Sequence, residues 1–230
     1  MRLLFVALLA GTAAPAVAAP VQYSGLAITP AGDRIATVET GGGKAKIVIR
    51  TVKTGAVVST LDPCATCSYS GLTIAADGTL AFLARDRSKG EVVLDIVEGG
   101  AVRPVATIRG IAQTPRFAPD GKRIALLVTI GAAKEAGAAQ AGVRQVGEIG
   151  EKNDAQQLAV FDRAATLAAD AVRPLSPAGR YVYEYDWTPD GAGFVVTSAL
   201  GNGDANWWVA TLDHVDATTG AVRTIAKPAT

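Results

Sequence analysis

Two hairpin signatures alternate along this chain, and that alternation limits the fold more than any other feature. The first signature runs strand, tight turn, strand. It occurs as GLAITPAGDRIATV from Gly25, GLTIAADGTLAFL from Gly71, PRFAPDGKRIALL from Pro115 and YDWTPDGAGFVVT from Tyr185. The turn glycines Gly32, Gly78, Gly121 and Gly191 lie 46, 43 and 70 residues apart. Glycine accepts the positive φ of a tight turn, and the preceding proline in three of the four presets the bend. The second signature lies between the first: KIVIRTVKTGAVVST from Lys46, EVVLDIVEGGAVRPVATI from Glu91, LAVFDRAATLAADAVRPL from Leu158 and WVATLDHVDATTGAVRTI from Trp208. Its turns centre on Gly55, Gly100, Asp170 and Gly220, spaced 45, 70 and 50 residues.

Two hairpins make four antiparallel strands, and four strands repeating every forty-odd residues make a propeller blade. A sandwich holds as many strands but does not explain two signatures alternating in phase. The strands IVI, VVL and LAVF are apolar on both faces, as blades packed between neighbours require. The expected fold is all-β, a β-propeller of about four four-stranded antiparallel blades over residues 21–63, 68–110, 113–177 and 181–227. The 70-residue interval holds an insertion, residues 131–156, rich in alanine, glycine and charge and without strand alternation. It is expected to be a long loop from the third blade.

Residues 1–18 read as a secretory signal peptide. Arg2 precedes a short apolar run, and Ala16-Val17-Ala18 fits the small-residue cleavage pattern. The mature chain, residues 19–230, is expected to be periplasmic or secreted, with no membrane association after cleavage. A formal charge of +1 offers no footprint for nucleic acid. The two cysteines, Cys64 and Cys67, stand in a C-A-T-C motif. An exported chain favours a local disulfide between them. Free thiols and a redox motif are the competing readings. The pair alone cannot complete a four-ligand zinc site, and His214, the one histidine, is remote in sequence. No metal centre and no cofactor is therefore expected.

The P-D-G turns resemble the WD40-like repeats of TolB-type propellers. QVGEIGE from Gln145, YVYEYDWTPDG from Tyr181 and GNGDANWWVATL from Gly201 extend the likeness to the N-terminal propeller of bacterial serine peptidases of the prolyl oligopeptidase family. The resemblance covers nearly the whole mature chain. It implies a ring of about seven blades, of which this chain supplies about four. It also implies a following hydrolase domain with a Ser-Asp-His triad. The sequence departs from that pattern: it ends at Thr230 and contains no G-x-S-x-G elbow. No catalytic residue is expected in the chain. The remaining blades and the hydrolase domain would be its missing partners.

Candidate binding residues cluster in two segments. Tyr181 to Trp187 enters the first strand of the fourth unit, and simple alternation places Tyr181, Tyr183, Tyr185 and Trp187 on one face, with Glu184 and Asp186 on the other. Glu184, Tyr185 and Asp186 are candidates for holding a substrate amine or cationic side chain; blade packing is the competing role. Trp207 and Trp208 follow a glycine-rich loop and are expected on opposite faces of a strand, one packed and one free to bind. The loop at 201–206 alternates oxygen side chains but lacks the calcium-loop glycine and final glutamate. Gly41-Gly42-Gly43-Lys44 lacks the spacing of a phosphate loop. His214 reads as an ordinary strand residue. Two functions compete: a non-catalytic propeller that gates or selects peptide substrates for an exported serine peptidase, and a free-standing periplasmic TolB-like propeller that scaffolds a protein partner. A third, a propeller enzyme with a central metal, has little support from a chain with one histidine.

Overall fold

The computed structural model describes residues 20–132, 155–201 and 206–228. The signal peptide and nearly all of the 131–156 insertion lie outside the described residues. Fourteen strands form the described fold, in three antiparallel sheets. The first sheet runs β1 (Gln22–Ile28), β2 (Arg34–Gly41), β3 (Lys44–Thr51), β4 (Val57–Leu61) in sequence order. The last runs β11 (Arg180–Trp187), β12 (Gly193–Leu200), β13 (Thr211–Asp216), β14 (Val222–Ala226). Between them lies one six-stranded sheet: β5 (Ser68–Ile74), β6 (Leu80–Asp86), β7 (Glu91–Glu98), β8 (Ala101–Phe117), β9 (Arg123–Ile130) and β10 (Gln157–Asp162).

Strand β8 explains why two blades share a sheet. Its first half, to Arg109, pairs with β7, and its second half, from Gly110, pairs with β9. The chain passes from the outer edge of one blade to the inner edge of the next without a turn. Gly110 makes this crossing possible, because its φ is +127° and a Cβ there would stand 2.1 Å from the Thr129 carbonyl oxygen. Only glycine tolerates both the dihedral and the approach.

The third unit departs from the expected four strands. The repeat places its fourth strand after the Asp170 turn, but Ala169–Ala171 forms a single 3-10 turn and no strand follows it before β11. Leu167 instead bridges in parallel to Ala106 of β8, donating to the Val105 carbonyl and accepting from Thr107. Val172 is buried in the core shared by the second and third blades. The segment AATLAAD has little β-branched content to hold an edge strand, so it folds back onto the neighbouring blade.

Three apolar clusters lie between successive blades. Ala36, Val38, Ile47, Tyr69 and Phe82 join the first two; Leu83, Leu94, Ile96, Ile124 and Phe161 join the middle two; Leu127, Leu158, Val182, Tyr185 and Phe194 join the last two. Each inner strand carries a register shift at a similar place: between Ser24 and Leu26, Ser70 and Thr73, Gln113 and Arg116, and Val182 and Glu184. At Gly71 the neighbouring blade comes so close that a Cβ would meet Pro115 Cδ at 2.6 Å. The bulges therefore fit the tight inner rim, where strands converge.

Candidate binding face

Antiparallel connectivity sorts the loops onto two ends of the blades. One end carries the Asp-Gly turns. Two arginines tie those turns together across blade boundaries. Arg163, after β10, reaches back to Asp77 Oδ2 and Thr79 Oγ1, both at 2.7 Å, and to Glu98 at 2.9 Å. The hydrogen bond from Arg163 holds the Asp77 carboxyl down at about 2. Arg123, after the third turn, donates to the Gly191 carbonyl of the fourth at 2.7 Å and lies 5.0 Å from the Trp187 ring centre.

The opposite end carries the features that stand out in the sequence. It bears the Cys64–Cys67 connection, the 87–90 turn, both flanks of the 131–156 insertion, and Gly201 with the segment 206–210. Hydrogen bonds within this end confirm the grouping: Gly110 N–H to Gly90 O, Gly131 N–H to Arg109 O, and Gly201 N–H to Gly179 O. Cys64 and Cys67 are joined as a disulfide with Cα atoms 5.3 Å apart. The Tyr69 hydroxyl braces that loop, accepting from Cys64 N–H at 3.0 Å and donating to Asp62 Oδ1 at 2.9 Å. Burial pushes the Tyr69 phenol up to about 12.

Trp207 and Trp208 sit on this same end. They were expected on opposite faces of a strand; they form instead a 3-10 turn, Trp207–Val209, ahead of β13. In a 3-10 turn neighbouring side chains are not divided between a core face and a solvent face. Both rings are consequently exposed, at 64% and 59%, in an edge-to-face pair 6.1 Å apart. Leu200 and Val209 beside them are exposed too. Asn206 donates to the Leu200 carbonyl at 2.6 Å and closes the loop base.

The Tyr181–Trp187 segment differs from simple alternation. The register shift between Val182 and Glu184 displaces Tyr183 from the ladder, so the faces exchange part-way along β11. Val182, Tyr185 and Trp187 are buried together, while the Tyr181 and Tyr183 rings lie tilted against each other with centres 4.9 Å apart and are only half-buried. Tyr185 is 4% exposed, and its hydroxyl lies within hydrogen-bond distance of the Thr114 and Ala125 carbonyls of the adjacent blade, at 2.5 and 2.7 Å. Burial drives its phenol far above the usual range. Trp187 Nε1 donates to Arg116 O at 3.1 Å. Asp186 pairs with Arg116 at 2.9 Å and Glu184 is exposed. The five candidates thus divide three ways: Tyr185 is enclosed between blades, Glu184 and Asp186 lie along the inner strand, and the two tryptophans stand at its far rim.

Strands β1, β5 and β8, with Arg85 and Val92 of the second blade, line an open depression of about 630 Å³ that none of the five candidates borders. Gly25, Ser70, Thr73, Gln113, Thr114 and Arg116 contribute to its wall. Thr114 has φ +51°, the one positive value outside glycine among the described residues. Sequence reasoning missed Arg116 and Arg163, whose partners lie 70 and 86 residues away. His214 packs over Gly193, with its Nε2 only 2.4 Å from where a Cβ would stand. Among the described residues no serine or cysteine is hydrogen-bonded to it, so no nucleophile–base pair is formed there. Asp213 is fully buried; burial alone would raise its carboxyl, but Ser198, Thr211 and Arg180 bond to it and hold it below the usual range. Among the described residues no helix is long and apolar enough to cross a membrane.

No protein-family model and no curated protein matches the chain. Solved structures do. TolB from Acinetobacter baumannii superposes with a TM-score of 0.56 at 17% identity, over 92% of this chain and 45% of that one. An acylaminoacyl peptidase superposes at 0.56 with 13% identity, over 89% of this chain and 32% of the peptidase. An oligogalacturonate lyase superposes at 0.57 with 15% identity, over 88% and 52%. The chain spans about half or less of each of these relatives. At such identities the likeness is one of architecture, and the architecture this chain shares with them is the β-propeller.

Proposed function

We propose that the chain is a non-catalytic binding propeller that selects peptides for an exported serine peptidase of the prolyl oligopeptidase type. The exposed Trp207–Trp208 pair carries this reading, because it shares one end of the blades with the Cys64–Cys67 connection and both described flanks of the 131–156 insertion. Two wet indole rings cost the fold apolar burial and return none of it, which is the signature of a contact surface. The fold shared with acylaminoacyl peptidase supports the peptidase setting. The fold shared with TolB supports the second reading, a free-standing propeller that scaffolds a folded partner.

Tryptophan fluorescence tests the proposal, since two of the three tryptophans are exposed. Short unstructured peptides should quench or shift the emission saturably, and W207A/W208A should lose the response. A response to folded proteins alone would favour the scaffold; no response to either would sink both readings. Fluorophosphonate should label native chain no more than denatured control. Stoichiometric labelling of a serine would overturn the non-catalytic assignment.

A further inference from the structure

We propose that the Cys64–Cys67 loop is a redox-gated zinc site, with Asp86 as the third protein ligand. The sequence offered two sulfurs and no partner. The fold supplies one: Asp86, at the end of β6, brings a carboxylate oxygen to the sulfurs, and the three ligand atoms all lie within 4.8 Å of one another. All three residues are partly buried, which shields a bound ion without sealing it off. Two thiolates and a carboxylate suit zinc, and three protein ligands leave a fourth position for water.

The site is held by groups other than the sulfur–sulfur bond. Cys67 N–H donates to Cys64 O at 3.0 Å, and the Tyr69 hydroxyl accepts from Cys64 N–H. Opening the disulfide therefore leaves the loop anchored. Asp86 is also positioned in advance: its Oδ1 accepts from Ser88 N–H at 3.0 Å and Ser88 Oγ at 2.6 Å, as outer partners orient metal-binding carboxylates. Lys89 Nζ stands 3.5 Å from Oδ2 on a side chain that is 69% exposed and free to swing away. Zinc with two thiolates and one carboxylate carries a net negative charge, which Lys89 then offsets.

The two states exclude each other. A dithiol donor reduces the disulfide to two protein thiols and becomes a disulfide itself. Zinc then binds the two sulfurs with release of both thiol protons, and the Asp86 carboxylate adds without proton exchange. Reoxidation expels the metal.

The test uses the full chain, oxidised or reduced with a phosphine, which takes oxygen from one water and leaves two thiols. Zinc is titrated against a chromophoric chelator, and cobalt serves as a spectroscopic substitute. The reduced chain should bind one zinc, and cobalt should give thiolate charge-transfer absorption. The oxidised chain should bind none. C64S and C67S should abolish binding. D86N should weaken it at least about tenfold, no less than loss of an outer partner costs. D86E should restore part of it, while S88A should weaken binding with all three ligands present. Zinc binding by the oxidised chain, undiminished binding by D86N, or no cobalt–thiolate absorption in the reduced wild-type chain would each overturn the proposal.

Discussion

Arg163 Nη1 lies 2.7 Å from Asp77 Oδ2, although the two residues are 86 positions apart and belong to different blades. The same guanidinium reaches Thr79 and Glu98, and its side chain is only 20% exposed. One arginine thereby fixes the angle between the second and third blades at their Asp-Gly turns. A planar fork with several fixed donors can do this; an ammonium cannot.

Removing that fork should loosen the joint. Arg163→Ala is expected to cost about 1–2 kcal/mol, more than an isolated surface pair because it strips several charge-assisted bonds at once. Arg163→Lys should recover only a minor part. The acid limb supplies a second readout. The folded Asp77 carboxyl sits at about 2, below its ordinary value of 3.8. Its contribution is therefore present above about pH 4 and lost as pH falls towards 2. Denaturant melts should show this loss in the wild-type chain and a flatter limb in R163A. An R163A chain as stable as wild type would show that the fork is idle.

Asp95 should act in the opposite direction. It is 7% exposed on β7, and burial raises its carboxyl to about 6 from 3.8. The folded state then binds a proton that the unfolded state has released. Stability from this residue is greatest below about pH 4, declines as pH rises towards 6, and stays low above it. Asp95→Asn should remove that decline and stabilise the chain near neutrality by about 1–3 kcal/mol, the scale of a shift of this size. Melts from pH 4 to 7 on both proteins test it. A neutral-pH loss of stability in D95N would show that the charged form is held by a partner.

Two tyrosines should resist ionisation. Tyr69 and Tyr185 are both buried and both have phenols raised by that burial, Tyr69 to about 12. An ultraviolet titration of the native chain should show a phenolate step smaller than its five tyrosines predict, with the remainder appearing only on unfolding. Tyr185→Phe should restore nothing to the early step and should destabilise by about 1–3 kcal/mol, because the buried Ala125 carbonyl loses its hydroxyl donor. Full ionisation of all five below the unfolding pH would contradict the enclosed position of Tyr185.

The turns and inner strands were legible in the sequence because local chemistry sets them. Gly32, Gly78, Gly121 and Gly191 all adopt the positive φ that their signature demands. What stayed hidden was decided at a distance. Strict alternation failed at Tyr183 because the crowded inner rim imposes a bulge, and no residue there announces it. The fourth strand of the third unit was lost because Leu167 pairs with a strand of the preceding blade. Trp207 and Trp208 looked like strand residues by composition, since indoles are common in strands; a 3-10 turn overrides that preference. Asp86 carried no motif and gained meaning only from its place beside the two sulfurs.

The outer faces of the first and last blades give the final prediction. On them Ile28 and Val195 are 53% and 36% exposed, and Ile35 is half-buried. Tyr23 and Leu26 on β1, and Leu212 and Ile225 on the last blade, are exposed as well. Each large apolar side chain left wet forfeits about 1.5–3 kcal/mol relative to burial. Against a net stability of about 5–15 kcal/mol, several such losses decide how the chain behaves in solution. A propeller protects its sheet faces by pressing each blade against the next. The 230-residue chain by itself should therefore bind a hydrophobic dye and associate as its concentration rises. Sedimentation should show the association, and L26K together with I225K should suppress it without broadening the unfolding transition, because neither residue belongs to a buried cluster. A monodisperse, dye-silent wild-type monomer of high thermal stability would show that these faces need no cover, and would favour a self-contained four-bladed binding module over a segment of a larger ring.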